Sequence, residues 1–403
     1  MLATNALRFA PTFKDVGPGQ PLLGCGNCID RPICGGLHLR NTGSLLVSCM
    51  SYCTCEDVGR CDMVCPRKPT NYVARHREVD GWDLANIPTA RMVELPRLPD
   101  WIPLFQGNLA GSRSTSLDDS VALPLTYALK GRGHATRART RKELAQSYGM
   151  RPRHGWVLSG VQEDPAVERI WPLPDISRIA HQLVHAGAVF ATSPDFSTIL
   201  DSPRHDNLHA MKRIAWVWYH MTQGGLCTAL HVNGRTDHDF VRWAEFIRQQ
   251  PAVKAIAFEF LTGTATKQSA ELSCKRLAVL ASTVGRDLTL VVRGNADAAR
   301  SLRASFKQVV FIDSTAYMRS MKRRRAYLNE SGKVAYVPIR TSTVREARAL
   351  LRHNIHTLRL AAASPPSPAE PDPQGRLDFN VLPTQEHADH ETPQLTLFPQ
   401  QET

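Results

Sequence analysis

The sequence predicts an α/β protein built on a TIM-like (β/α)8 barrel, with a cysteine-rich metal-binding module before it and a disordered tail after it. Three observations carry this. Between Trp156 and Ala361, short apolar runs alternate with amphipathic segments eight times, a rhythm that favours a closed barrel over an open doubly wound sheet. Eight of the ten cysteines fall between Cys25 and Cys65, too tight a cluster for random scatter. From Ala363 onward the composition turns to proline and acidic residues. The expected divisions are 1–74 (cysteine-rich module), 75–150 (a basic connector that contributes a strand if the barrel count shifts), 151–362 (barrel) and 363–403 (tail).

Charge sharpens the division. The chain carries +12 overall, but residues from Ala363 on hold seven acidic side chains and one basic, leaving the remainder at +18. A basic body of that size points to a polyanionic partner, most simply nucleic acid. An apolar fraction of 42% supports a real core. No apolar run approaches the ~18 residues of a membrane span. No basic-then-apolar leader opens the chain, so a cytoplasmic protein without membrane contact is expected.

In the cysteine-rich module, GCGNCIDRPICGG places Cys25, Cys28 and Cys34, SCMSYCTC places Cys49, Cys53 and Cys55, and RCDMVCPRKP places Cys61 and Cys65. A Cys-x2-Cys pair brings two thiolates to one metal across a tight turn. Eight thiolates suffice for two tetrahedral zinc sites or for one or two iron–sulfur clusters, and the Cys65-Pro66 ending resembles ferredoxin cluster motifs. The spacing of Cys49, Cys53 and Cys55 departs by one residue from the CxxxCxxC of radical-SAM enzymes. Zinc and iron–sulfur both remain open.

The connector ends in KGRGHATRARTRK (130–142), where Arg137, Arg139 and Arg141 form a cationic loop suited to phosphates or simply to solvent. Strands are then expected at 156–161, 188–193, 226–233, 254–260, 288–294, 309–314, 334–339 and 356–361. Helices between them are read from apolar stripes such as Phe240, Trp243, Ala244 and Ile247, preceded by a Thr236–Asp239 capping box. A second box, Thr343–Glu346, opens the last helix. Residues Tyr317 to Tyr327 read as a basic helix in which Lys322, Arg323, Arg324 and Arg325 suit a nucleic-acid backbone, with Tyr327 available to stack. No GxGxxG follows the first strand, which weakens a dinucleotide-binding reading.

Barrel chemistry sits at the carboxyl ends of the strands. Those ends offer Asp195, His231, Asn233, Glu259, Arg293 and Asp313 as candidate catalytic residues. Carboxylates so placed serve as nucleophile, acid or base once burial separates their pKa values. Helix capping is the competing explanation for Asp195. Glu259 lies within an apolar strand and needs a buried partner, for which Arg293 is the candidate.

At EDPAVERIW (163–171), the SPDFS turn (193–197), HVNGRTDHDFVRW (231–243), EFLTG (259–263) and FIDSTAY (311–317), the chain resembles, distantly, the tRNA-guanine transglycosylase-like barrels, including relatives that insert 7-deazaguanine bases into DNA. The resemblance implies a strand-end aspartate attacking the sugar C1′ and a second acid/base group, with Asp195 and Asp313 as candidates and Glu259 in support. The zinc site that such enzymes carry after their late strands has no counterpart here.

In the tail, Gln394, Leu395, Leu397 and Phe398 belong to QLTLF, which resembles the peptide by which bacterial proteins bind the replication sliding clamp; QGRLDF (374–379) is a looser version. Three functions follow as expectations. The first is base exchange on DNA, with tRNA as the other candidate substrate, by a transglycosylase or glycosylase recruited through the clamp. The second is a non-enzymatic, metal-containing DNA-binding protein of a mobile element, phage or defence system. The third is an iron–sulfur redox or radical enzyme.

Overall fold

The computed structural model describes residue 75 and residues 78–363, except 108–114, 118–119, 131–134, 172–174, 199–203 and 262–266. The eight cysteines of the N-terminal cluster and the Gln394–Phe398 peptide lie outside the described residues.

Eight parallel strands follow one another around the sheet in chain order: β1 (Trp101–Pro103), β2 (Val121–Pro124), β3 (Trp156–Ser159), β4 (Ala188–Thr192), β5 (Thr228–His231), β6 (Ala255–Glu259), β7 (Thr289–Arg293) and β8 (Gln308–Asp313). β8 pairs with β1 through the register Trp101 to Phe311. A single bridge, Leu104 to Ala122, and a hydrogen bond from Phe105 N to Ala122 O (3.0 Å) hold the seam between β1 and β2. The result is a nearly closed, TIM-like barrel.

Helices of six residues or more between and after the strands are α1 (Arg141–Tyr148), α2 (Ile176–His185), α3 (Arg204–Gln223), α4 (Asp237–Gln249), α5 (Lys267–Val284), α6 (Ala296–Ser301), α7 (Thr315–Met321) and α8 (Val344–Ala363). The expected capping box on α4 forms with both halves in place, and the stripe Phe240, Trp243, Ala244 and Ile247 is buried against the barrel.

Six of the eight expected strands belong to the barrel; two do not. Residues 334–338 pair antiparallel with 324–328 in a hairpin (β9, Arg324–Leu328; β10, Val334–Pro338). Residues 356–361 are helical, because Leu351, Ile355 and Leu358 share one buried stripe that continues α8. The expected basic helix stops at Met321, so Arg324 and Arg325 lie in β9. The two strands that complete the ring, β1 and β2, come from the connector.

Two packed layers result. Inside the barrel, Ile102, Leu104, Val157, Phe190, Val291, Val310 and Ile312 interdigitate with the smaller Ala122, Cys227, Ala229, Ala255 and Ala257. Burial pushes the Cys227 thiol up to about 12, so it behaves as a small core residue. Outside, the helices cover the strands.

A strap before β1 is held largely through its backbone. Trp216 Nε1 donates to Val79 O (3.0 Å), Arg242 to Trp82 O (2.8 Å), Lys212 Nζ to Asp83 O and Gln250 Nε2 to Ile87 O (3.2 Å). Lys212 is fully buried, and desolvation lowers its pKa to about 8.

Candidate active site

Strand pleating decides which strand-end residues meet. Side chains alternate between faces with a period of two. Val157, Phe190, Ala229, Ala257 and Val291 fill the interior, so Ser159, Thr192, His231, Glu259 and Arg293, two residues further on, form the next layer above them. Asp313 has the opposite parity, because Val310 and Ile312 are the inward residues of β8. It faces outward with Trp101 and Phe311, and its Oδ1 accepts the backbone N–H of Thr315 (2.8 Å) at the start of α7. The structure therefore does not bring Asp313 into the cup. Its charge reaches Arg293 only through space.

The remaining five sequence candidates do come together. Asp195 lies on the loop after β4, where Asn233 Nδ2 donates to its Oδ1 (2.7 Å). Asn233 is fixed in turn: its Oδ1 accepts from Thr198 Oγ1 (2.9 Å) and its carbonyl accepts from Trp243 Nε1 (2.8 Å). His231 Nδ1 stands 3.2 Å from Asp195 Oδ1. The angle is not that of a hydrogen bond, and both ring nitrogens are buried without one. Burial holds His231 down at about 4, so the imidazole is neutral and ion pairing with Asp195 does not operate near pH 7.

Glu259 and Asp195 are near enough for each carboxyl to shift the titration of the other. Burial raises both carboxyls: Asp195 to about 6, against the pull of Glu259 and of its bond from Asn233, and Glu259 to about 7, helped by the Asp195 charge. The two carboxyls thus titrate as one coupled unit, in which burial and the Asp195 charge favour the acid form of Glu259. Arg293, the register neighbour of Glu259 across β6 and β7, donates through Nη1 to Val161 O (2.5 Å). Its interaction with Glu259 is electrostatic, so Arg293 is only in part the partner that this carboxyl needs.

Above this layer opens a cleft of about 820 Å³ at the carboxyl ends of β1, β2, β3, β4, β6 and β7. Glu259 and Arg293 form part of its wall; Gln106, Tyr127, Gln162 and Asp164 supply further polar groups. These lining residues were missed by sequence reasoning, and only the position of Gln162 and Asp164 just after a strand hinted at them.

Compared with known protein-family models and with curated protein sequences, the chain matches none.

Gly160 was also missed. A Cβ there would overlap the carbonyl of Ser193, and Gly160 N donates to Thr192 Oγ1 (2.8 Å) while its carbonyl accepts from Asp195 N (3.3 Å). The glycine lets the end of β3 touch the loop that carries Asp195. Gly160→Ala is expected to displace that loop, lowering the melting temperature by roughly 5 °C and turnover by about tenfold or more. Thermal melts and a rate assay on the same preparation check this.

The two cationic stretches differ in how far their side chains are engaged. Arg137 donates to Tyr127 O (2.7 Å), and Arg141 to Pro152 O (2.9 Å) and Arg153 O (2.7 Å), so both brace the backbone. Arg139 is exposed. Lys322, Arg323, Arg324 and Arg325 are all exposed. Among the described residues no group of three or more His, Cys, Asp or Glu side chains is placed to hold a metal. No helix among them is long and apolar enough to cross a membrane.

Proposed function

We propose that the barrel is an enzyme that breaks and remakes the glycosidic bond of a base in nucleic acid, with DNA as the favoured substrate. The observation that carries this is the Asp195–Glu259 pair, whose donor member faces a cleft at the strand ends. Such a pair is suited to acid/base work near neutral pH. Glu259 gives its proton to the leaving base as the C1′–N bond breaks. The pair then holds one more negative charge and stabilises the positive charge left on the sugar. An entering base, or water, bonds C1′, and the proton it loses restores Glu259. Base exchange is neutral in protons, which suits a pair that holds one. Asn233 keeps Asp195 aimed, and Arg293 limits the pair's net charge.

The sign of the pH dependence follows. Glu259 must be protonated, so turnover falls as pH rises through about 7. It falls again at lower pH, once Asp195 takes up a proton near 6. A bell-shaped profile with its maximum between these values is expected, with limits belonging to the pair. The test is release or exchange of a labelled base from DNA and from tRNA by the full chain across pH 4–9. A flat profile counts against the pair.

The cysteine cluster and the QLTLF peptide enter this reading from sequence alone. The first would bind zinc or an iron–sulfur cluster, and the second would tether the chain to the replication clamp.

A further inference from the structure

Between α7 and α8 the chain carries the β9–β10 hairpin, which none of the barrel chemistry uses. From Met318 to Val344 there are seven Lys or Arg side chains against one carboxylate, Glu330. Among the described residues none of the seven stands in an ion pair. The same segment holds seven of the twelve large apolar side chains that the described residues leave exposed, Tyr327 at 44% among them. Cations and bare apolar groups thus share one short stretch of chain.

The hairpin is fixed rather than loosely attached. Buried Asn354 of α8 accepts from Ala326 N (2.8 Å) and donates to Arg324 O (2.8 Å) and to Ser320 Oγ (2.9 Å). Ala326 is fully buried against α8, so alternation along β9 turns Arg325 and Tyr327 to the opposite face, opposite Val337 and Ala335 of β10. Arg325 Nε leans on His353 (3.2 Å) and Arg319 lies over the Tyr336 ring (4.5 Å), while Lys322 and Arg324 are left to solvent.

We infer that the exposed surface of this hairpin and of the turn leading into it docks a single-stranded nucleic acid. The choice of occupant rests on the functional reading above; the surface itself does not. Exposed cations match phosphates, and exposed aromatic and aliphatic side chains match the faces of unpaired bases. A duplex hides those faces and offers the hairpin phosphates alone. An unpaired target also removes the cost of extracting a base before chemistry at the cleft.

Fluorescence anisotropy with the full chain tests this, using a labelled 20-nucleotide strand and its duplex over a salt series. The expected result is at least tenfold tighter binding of the single strand. Replacing Lys322, Arg323, Arg324 and Arg325 together by Ser should flatten the slope of log K against log salt by about 3, from ~0.7 per phosphate contact. Tyr327→Ser should weaken the single strand about tenfold and leave the duplex unchanged. Arg323→Gly guards against a folding artefact: Arg323 has a φ of 53°, where glycine is at ease, so the change should hold or raise the melting temperature while still weakening binding. An unchanged affinity and salt slope in the fourfold variant overturns the proposal. So does equal binding of strand and duplex, or binding of a poly-glutamate peptide with none of nucleic acid. Asp195→Asn that binds normally but does not turn over leaves the hairpin assignment standing, whereas inactive wild-type protein that binds the strand counts only against the chemistry.

Discussion

Replacing Asp195 by Asn, or Glu259 by Gln, lowers turnover by at least about a thousandfold, as expected when one member of an acid/base pair is lost. The two changes fail for different reasons. An asparagine at 195 keeps the shape and the bond from Asn233 but no longer holds the negative charge that keeps the proton on Glu259. A glutamine at 259 still donates towards Asp195 but has no proton to give. Because they act as a unit, the double variant should be little worse than either single one. Asp313→Asn provides the contrast. That side chain faces outward and accepts the first N–H of α7, so its loss should cost stability of about 1 kcal/mol and change turnover less than about threefold. Steady-state rates on the wild type and the four variants, with melting temperatures alongside, separate these outcomes.

Glu259→Gln should also make the protein more stable at pH 8 while abolishing activity. In the folded chain, burial and the Asp195 charge raise the Glu259 carboxyl to about 7 from an ordinary value of 4.5. A carboxyl raised in this way contributes stability that is fully present below pH 4.5 and is lost as pH climbs through 7. Above that range the wild type holds an ionised group in a poor environment, and glutamine does not. The full separation corresponds to roughly 3 kcal/mol. Glu259 faces the cleft, where solvent screens part of the effect, leaving about 1–2 kcal/mol. Denaturant unfolding at pH 4 and pH 8 should show no difference between the proteins at the first and that gain at the second. His231, held neutral down to about 4, acts in the opposite sense in both, weakening the fold as pH falls below 6.5, and so leaves the comparison intact.

Much of the barrel was legible because buried parallel strands read as short apolar runs, and six of them were placed correctly. β1 and β2 were obscured because each is only three or four residues, ends in a proline (Pro103, Pro124) and flanks a serine-rich loop. HTLRLA was read as a strand because six residues in isolation satisfy either period; the preceding Leu351 and Ile355 decide for helix. The site was legible wherever a polar residue ended an apolar run. Asp313 went astray by a single position, since which face a strand end presents depends on register, and register is a property of the neighbouring strands. Gly160 and the cleft-lining residues gain meaning only when β3 and the β4 loop are seen side by side. The pairing of Glu259 with Asp195 rather than with Arg293 belongs to the same class: three strand ends had to converge before the partner was visible.

The decisive measurement is incorporation of a radiolabelled purine into single-stranded DNA by the full chain at pH 6.5, with wild type and Asp195→Asn compared side by side and their folding matched by circular dichroism. Label entering DNA with the wild type, and at least about a thousandfold more slowly with the variant, is the expected result. Equal rates in the two proteins would remove the Asp195–Glu259 pair from the chemistry and with it the function assigned to the barrel.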